Sequence, residues 1–397
     1  MSFSDEFVHI DADFDCGSAG QISGEGGSYE VGPQPEEVPE WFAAALEEHF
    51  AGAGVPREYA HCVRITSKAE QKREIRVRFR FTQTNGRDYM APPYWFFRDG
   101  RWRPVALSAT DYMPSSHVDL NIDLGTRETL LLANKPYLKP GVVEEMIDDL
   151  VDRYPFFHCR ELGKTAEGRP ILVLETDARE EAIVVAATMQ PAEPGAHPVL
   201  GVAHWLTDRS ALSERLLDRF QFSFIPMSNP DGAASGCSLT NARAEVPMFS
   251  FGRLLEGLSA PLETEAVWRY LEALSPAAYI EFHPHYQDVH SHKLNPMALE
   301  WYPSSMHGKV QQVEDALIGL NSSWRVTHLE KALPLGDCSS FNHLACLFKT
   351  LAYCYQIYAI SEEATRAHAV QAVSTLACAL AGPEWLTRKN SAKIVKG

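Results

Sequence analysis

Apolar and charged residues alternate strictly over residues 74–81. The apolar positions are Ile75, Val77, Phe79 and Phe81, and the positions between them are Arg76, Arg78 and Arg80. A period of two predicts a β-strand with one face on a core and the other in water. Residues 118–124 alternate in the same way, and Thr84-Asn85-Gly86 and Asp99-Gly100 are typical turns. The pattern up to about Leu138 therefore predicts an antiparallel β-sandwich.

The arginine stripe of residues 74–81 allows two interpretations. It can form an anion-binding face, or it can be the solvated outer face of a sheet, which is the more common arrangement. Further along, Pro136 and Pro140-Gly141 interrupt the β pattern. We therefore place a domain boundary near Pro140, with a sandwich domain over residues 1–139.

The spacing of apolar residues changes after Pro140. Residues 142–154 have apolar positions at helical spacing, and strands are expected at 158–162 and 170–176. Continuous apolar strands then alternate with amphipathic helices; the strands are 182–189, 221–227, 277–282 and 352–359, and the helices 198–208, 263–274, 310–320 and 362–380. This order predicts an α/β domain over residues 140–387, with a mixed or parallel sheet flanked by helices on both faces. Residues 388–397 form a basic tail.

Composition and charge narrow the range of partners. A formal net charge of −16 disfavours nucleic acid and anionic membranes as partners. The acidic N-terminus lacks the features of a signal peptide, and no apolar run reaches membrane-spanning length. The eight cysteines form no C-x-x-C pair, so reduced thiols are expected. These features predict a cytoplasmic protein.

Several segments, in order, carry a family resemblance. They are HIDADFDCGSAGQI, LLLANKPYL, GKTAEGRPILVLE, FSFIPMSNPDGAASG, PLETEAVWRYL, YIEFHPH and LAYCYQIY. Together they resemble the zinc carboxypeptidases of the cytosolic-carboxypeptidase type, in which a β-sandwich precedes the catalytic domain. The resemblance implies the same two-part fold, but it does not by itself imply activity.

The resemblance also implies a set of site residues. The family holds zinc with two histidines and one glutamate, and a second glutamate acts as general base towards a zinc-bound water. Glu193 and His283 match two of the ligands, whereas Gln190 stands at the first histidine and Gln356 at the general base. An amide oxygen is a poor zinc ligand and cannot take a proton from water at neutral pH. We therefore expect zinc binding to be weakened.

The positions that would hold the substrate's terminal carboxylate also differ from the family pattern. Met248-Phe249, or the residues just before them, stand in place of an Asn-Arg pair, and Gly236 or Leu239 stands in place of an oxyanion-stabilising arginine. Arg243 and Arg253 lie nearby and are candidate substitutes. The expected ligand is a peptide or an amino-acid-like molecule.

Other side chains near these positions leave alternatives open. His285, within the histidine-rich stretch 283–292, is a candidate replacement metal ligand, although a polar loop that happens to contain histidines is the simpler interpretation. His197 is expected to be exposed at the start of a helix. Cys346 and Cys354 lie in apolar sequence near Gln356 and are expected to be buried, inert thiols.

Three hypotheses about function follow. The leading one is a carboxypeptidase-fold protein with a degenerate site, without standard C-terminal hydrolysis, that binds a ligand or performs altered chemistry in the old cleft. The alternative is an active metallocarboxypeptidase or amidohydrolase whose metal site has been rearranged. The third is a structural partner protein in which the sandwich makes the contacts.

Overall fold

The computed structural model describes most of the chain. The described residues are 1–50, 58–81, 91–114, 116–285, 292–320, 325–326, 339–358, 361–382 and 385. The expected turn at Thr84-Asn85-Gly86 and the basic tail 388–397 lie outside them.

The N-terminal third forms two β-sheets. Its strands are β1 (Ser2–Ser4), β2 (Val8–Asp11), β3 (Ile22–Glu25), β4 (Ser28–Val31), β5 (Cys62–Ser67), β6 (Arg73–Arg80), β7 (Trp95–Arg98), β8 (Arg101–Pro104), β9 (Thr110–Met113), β10 (His117–Leu124) and β11 (Thr129–Ala133). One sheet has the order β1-β2-β5-β11-β7-β8 and the other β3-β4-β6-β10-β9. Their apolar faces share one core, in which Phe79 of the second sheet contacts the rings of His61 and Tyr94. The expected two-sheet arrangement is present.

Two details differ from the expectation of a purely antiparallel sandwich. Strands β4 and β6 pair in parallel. In addition, a helix α1 (Glu40–Phe50) lies between β4 and β5, in a region for which only strands were expected. Phe42 and Leu46, four residues apart, are both buried and form its packing face. The prediction was wrong there because it weighed only the alternating pattern.

The arginine stripe on β6 is engaged in ion pairs across the sheet. Arg76 and Arg78 both pair with Asp119 on β10, and Arg80 pairs with Glu30 on β4 at 2.6 Å. Although burial opposes it, the two guanidinium groups lower the pKa of Asp119 to about 2. The stripe is therefore a charge-paired outer face, as the simpler interpretation expected.

The rest of the described chain is built on an eight-stranded mixed sheet. Its strands are β12 (Phe157–Lys164), β13 (Pro170–Thr176), β14 (Glu181–Ala187), β15 (Phe220–Ile225), β16 (Ala278–His285), β17 (Lys293–Pro296), β18 (Arg325–Val326) and β19 (Leu351–Tyr358). The order is β12-β13-β15-β14-β16-β19-β17-β18, with β15, β14, β16 and β19 parallel in the centre. The mixed sheet predicted from the apolar strands is confirmed.

The helices that accompany this sheet include those predicted over 142–154, 198–208, 263–274, 310–320 and 362–380, together with others that were not predicted. They are α2 (Pro140–Arg153), α3 (Ala196–Thr207), α4 (Ala211–Arg219), α5 (Pro230–Ala234), α6 (Phe251–Leu255), α7 (Leu262–Leu274), α8 (His307–Ile318), α9 (Ser340–His343), continued by a π-helical turn Leu344–Phe348, and α10 (Glu362–Ala381). None of the described helices is both long and apolar enough to cross a bilayer.

Hydrogen bonds connect the two parts of the chain. The backbone N–H groups of Tyr59 and Ala60 donate to the hydroxyl of Ser238, at 2.9 and 3.0 Å. The N–H of Cys16 donates to the carbonyl of Ala234 at 2.8 Å. Pro140 begins α2, and both the domain boundary near this residue and the independence of the two parts stay predictions.

Candidate active site

The turn that follows β14 is tightly built. Thr188 has a positive φ of 59°, and its hydroxyl accepts from the N–H of Gly195 at 3.1 Å. The N–H of Glu193 donates to the carbonyl of Gln190 at 3.0 Å. A Cβ atom on Gly195 would lie 2.5 Å from that of Ala187, which requires glycine there. The turn therefore presents Glu193 at the carboxyl end of a central strand, where open α/β sheets place their sites.

Glu193 meets His283 directly. The Nδ1 atom of His283, near the end of β16, lies 2.6 Å from Oε2 of Glu193. Glu193 is 4% exposed and His283 is 3% exposed. The sequence analysis assigned these two positions to one site. They are 90 residues apart in the chain, and the fold brings them into a buried contact.

A second carboxylate lies on the other side of the imidazole. The Nε2 atom of His283 is 3.4 Å from Oε1 of Glu281, and the hydroxyl of Tyr279 donates to Oε2 of Glu281 at 2.6 Å. These residues are two apart on β16 and share a face of the sheet. Burial disfavours the charged imidazole, but Cys354, Glu193 and Glu281 outweigh it and raise the pKa of His283 well above its usual range.

Gln356 lies beside His283 on the neighbouring strand. The two residues are register partners in the parallel pair β16–β19, and Gln356 is half-buried. In-register neighbours of a parallel pair point to the same face. The structure therefore brings the expected general-base position next to the imidazole, with an amide in place of a carboxylate.

Lys135 contributes a buried cation from the N-terminal part. Its ammonium donates to the carbonyl of Ala192 at 2.6 Å, and the side chain is 1% exposed. Burial lowers the pKa of Lys135 to about 8, although the charge of Glu193 opposes this shift. Sequence reasoning missed this residue and also Glu281; the only available signal was a lysine inside the apolar motif LLLANKPYL.

The donor set can be tested against the zinc that the resemblance implies. Glu193 and His283 offer an oxygen and a nitrogen, whereas the side chain of Gln190 offers only an amide; its backbone carbonyl accepts from the N–H of Glu193. Among the described residues, no group of three or more histidine, cysteine, aspartate or glutamate side chains is arranged to hold a metal. Structural and catalytic zinc sites need at least three such ligands, so the described residues do not fit the standard set.

The histidine-rich stretch is only partly described. Strand β16 continues through His285, which pairs with Tyr358 of β19, and residues 286–291 lie outside the described residues. His292 is buried, and its Nδ1 accepts from the N–H of Tyr358 at 3.1 Å. A role for His285 as a replacement ligand stays a prediction.

The region expected to hold a substrate carboxylate is covered by α1. The ring of Phe42 packs on that of Phe249 with centroids 5.0 Å apart, and both side chains are buried. The guanidinium of Arg253 lies 4.9 Å from the ring centre of Trp41, also on α1. Arg243 is exposed, and its N–H donates to Asn241. Ligand binding by either arginine stays a prediction.

Two further expectations are corrected. His197 is half-buried rather than exposed: its Nε2 lies 3.6 Å from Oε1 of Glu362, and burial lowers its pKa to about 4. Cys354 is buried as expected, but Cys346 is exposed because the π-helical turn places it at the surface. The apolar residues around Cys346 in the sequence do not indicate which face of the turn its side chain occupies.

Comparison with known proteins shows what the chain resembles. Residues 143–245, which include the turn with Glu193, match the family model of the zinc carboxypeptidases. This match confirms the resemblance to the zinc carboxypeptidases over that segment of the chain. A curated relative, cytosolic carboxypeptidase 6 of Caenorhabditis elegans, is 31% identical over 111 residues, or 25% of this chain. The match spans about a quarter (24%) of that relative's length.

Solved carboxypeptidases share the fold over almost the whole chain. A metallo-carboxypeptidase from Burkholderia cenocepacia superposes with a TM-score of 0.74 at 15% identity, covering 93% of this chain and 97% of the other. One from Pseudomonas aeruginosa, in complex with (2-guanidinoethylmercapto)succinic acid, gives 0.72 at 15% identity, covering 93% and 98%. Both the N-terminal sheets and the mixed sheet therefore share the fold of these solved carboxypeptidases.

Proposed function

We propose that this zinc-carboxypeptidase-like protein does not carry out standard zinc-dependent removal of a C-terminal amino acid, and that it binds a peptide or amino-acid-like ligand in the old cleft. One observation carries the proposal. Glu193 and His283, two of the three family metal-ligand positions, satisfy each other at 2.6 Å, while the third position holds Gln190. The site is thereby internally paired.

The surrounding charges support this interpretation. Isolated buried charges are costly, whereas charges that are paired and hydrogen-bonded persist. The carboxylates of Glu193 and Glu281 flank the imidazole of His283, and the ammonium of Lys135 lies against the same turn. The negative charges of Glu193 and Glu281 are therefore balanced by cationic side chains of the chain itself, His283 and Lys135.

The residue at the general-base position also supports the proposed absence of standard hydrolysis. A carboxamide at Gln356 has no basic lone pair of useful pKa, so it can orient a polar group by hydrogen bonding but cannot accept a proton from water. The described donor set is incomplete for zinc and does not support a zinc-dependent hydrolytic step. Should zinc bind, Glu193 and His283 would hold it, and it would supply Lewis acidity to a bound water or carbonyl.

The ligand class rests on the cleft's chemistry and on one related structure. The Pseudomonas aeruginosa carboxypeptidase holds a substituted succinic acid, a small dicarboxylate with a guanidino group. The candidate site of this chain contains polar side chains, among them those of the half-buried residues Gln190 and Gln356. Amides donate and accept hydrogen bonds, as recognition of a peptide or amino-acid group requires.

Zinc affinity tests the proposal. Equilibrium dialysis of the apo-protein against zinc should give weak binding for the unmodified chain and for Gln190→Asn, which keeps the amide. Gln190→His should bind zinc much more tightly, because an imidazole completes the family's ligand set. Tight one-to-one zinc binding by the unmodified protein, lost in Glu193→Ala, would favour a rearranged active metallocarboxypeptidase or amidohydrolase instead.

A further inference from the structure

Glu36 is bound by a row of backbone amides in the second part of the chain. Its carboxylate accepts from the N–H groups of Ser238 (2.5 Å), Leu239 (2.7 Å) and Thr240 (2.6 Å). The hydroxyl of Thr240 is a further donor to the same carboxylate. Consecutive N–H groups that converge on one point form a concave anion site, and here the anion is supplied by the chain itself.

The anion site lies next to the ligand turn. The carbonyl of Ser238 accepts from the N–H of Ala192 at 3.2 Å, one residue before Glu193. The family resemblance places an oxyanion-stabilising arginine at Gly236 or Leu239, and Leu239 is itself one of the three donors. With the alternative that places the arginine at Leu239, the amides of residues 238–240 stand where the family provides a positive group for a substrate oxygen; with Gly236, they follow that position directly in the chain.

The segment that carries Glu36 is attached in a way that permits release. Residues 32–39, between β4 and α1, have no regular secondary structure. One other hydrogen bond is described from this stretch to residues 235–240. In it, the side-chain amide of Gln34 donates to the carbonyl of Ser235 at 3.3 Å. Glu36 is only half-buried. Its carboxylate can therefore leave without breaking a strand or helix.

We propose that the amides of Ser238, Leu239 and Thr240 are a carboxylate-binding site of the cleft, and that Glu36 occupies it until the carboxylate of a ligand displaces it. The inference rests on the proposed function, because the carboxylate in question belongs to the peptide or amino-acid-like ligand. It replaces the missing Asn-Arg clamp with backbone donors. It also predicts that the chain's own side chain weakens ligand binding, since a site that is free only part of the time has a reduced apparent affinity.

The test compares Glu36→Ala with Glu37→Ala. Glu37 is the exposed neighbour, so its removal changes the net charge equally and leaves the amides occupied. Binding of acetate and of N-acetylglycine is measured by calorimetry and by thermal denaturation, with sodium chloride at equal ionic strength as the control for screening. Both carboxylates should bind Glu36→Ala about ten-fold or more tightly than the unmodified chain or Glu37→Ala. They should also raise the melting temperature of Glu36→Ala selectively, because they bind only the folded state.

Three outcomes decide the inference. If N-acetylglycine binds Glu36→Ala more tightly than acetate does, the site recognises the terminus of a peptide. If the two bind equally, the site recognises carboxylates in general. Either result supports the proposed carboxylate-binding site. A folded Glu36→Ala that binds neither probe better than Glu37→Ala overturns it, and Glu36 is then a structural clasp. If Glu36→Ala is too unstable to purify, its refolding yield with acetate and with chloride is the equivalent readout: selective recovery in acetate supports the site, and equal yields overturn it. The proposed function fails separately, through zinc-dependent hydrolysis by the unmodified chain.

Discussion

The ammonium of Lys135 donates to the carbonyl of Ala192 at 2.6 Å, and so attaches the end of the N-terminal sandwich to the turn that carries Glu193. The lysine is fully buried, and the charge of Glu193 favours its protonated form. A charge at this depth is tolerated only when its partners remain in place. The contact therefore links the stability of the domain junction to the geometry of the site.

Lys135→Met should destabilise the protein by about 2 to 4 kcal/mol, because it leaves the buried Ala192 carbonyl without its donor and removes one of the two buried cations near the Glu193 carboxylate. Urea unfolding at neutral pH measures the effect. Lys164→Met is the matched control, since Lys164 is exposed at the end of β12, and it should change the free energy of unfolding by less than about 0.5 kcal/mol. Equal stability of the two variants would show that Lys135 is not part of the junction.

A fragment of residues 140–387 should be less soluble and less stable than the whole chain. It would lose the cover that α1 gives to Phe249 and the hydrogen bonds that Ser238 accepts from Tyr59 and Ala60. Exposed apolar surface of this kind promotes association. Light scattering and thermal denaturation measure the difference. A monomeric fragment as stable as the whole chain would show that the domains fold independently.

Acid sensitivity should depend on His61. This histidine is fully buried against Phe79, its ring nitrogens have no hydrogen-bond partner in the described part of the chain, and burial lowers its pKa to about 3. A lowered pKa contributes stability that is present above the unfolded value and is lost as the pH falls from about 6.5 towards 3.

His61→Leu should therefore flatten this part of the stability profile. At pH 4.5 the variant should avoid a loss of about 2 to 3 kcal/mol relative to neutral pH. Urea unfolding between pH 7 and 4.5 is the measurement, with His158→Leu, at an exposed position on β12, as the control. An unchanged slope in His61→Leu would contradict the assignment.

Much of the fold followed from periodicity. The alternating residues of β6 and the apolar strands β14, β15, β16 and β19 were predicted because their patterns have one physical interpretation. Helix α1 was missed because its apolar positions, Phe42 and Leu46, stand in a short segment among strands. The parallel pairing of β4 with β6 could not be predicted, since pairing direction depends on connections that no local pattern encodes.

The site was predictable in part, and only with the help of family resemblance. Glu193, His283 and Gln356 were assigned to one site, and the structure brings them together. Lys135 and Glu36 were not found, because each acts on residues far away in the chain through backbone carbonyls or amides. Contacts of that kind leave no signature in residue type.

Gln356→Glu alone should not create measurable hydrolysis. A positioned general base contributes about a hundred- to ten-thousand-fold, but groups that act as a unit are strongly non-additive, and the metal-ligand position at Gln190 is also substituted. The measurement is release of free amino acids from short peptides in the presence of zinc. Activity in this single variant would show that the metal site is intact.

The double variant Gln190→His with Gln356→Glu should bind zinc and still turn over poorly. The ligand set and the base would then match the family, whereas the carboxylate clamp would not, and substrate orientation contributes much of the rate. The same release assay, with Gln190→Asn plus Gln356→Glu as the control, measures this. Efficient turnover by the double variant would show that the clamp is not needed.

The most direct measurement follows amino-acid release by the unmodified protein itself. Peptides with acidic or aliphatic C-termini are incubated with the zinc-supplemented chain, with and without a chelator, and beside Glu193→Ala. The proposed function predicts the same background release in all samples. Robust release that is abolished both by the chelator and by Glu193→Ala would contradict it and identify a working zinc carboxypeptidase.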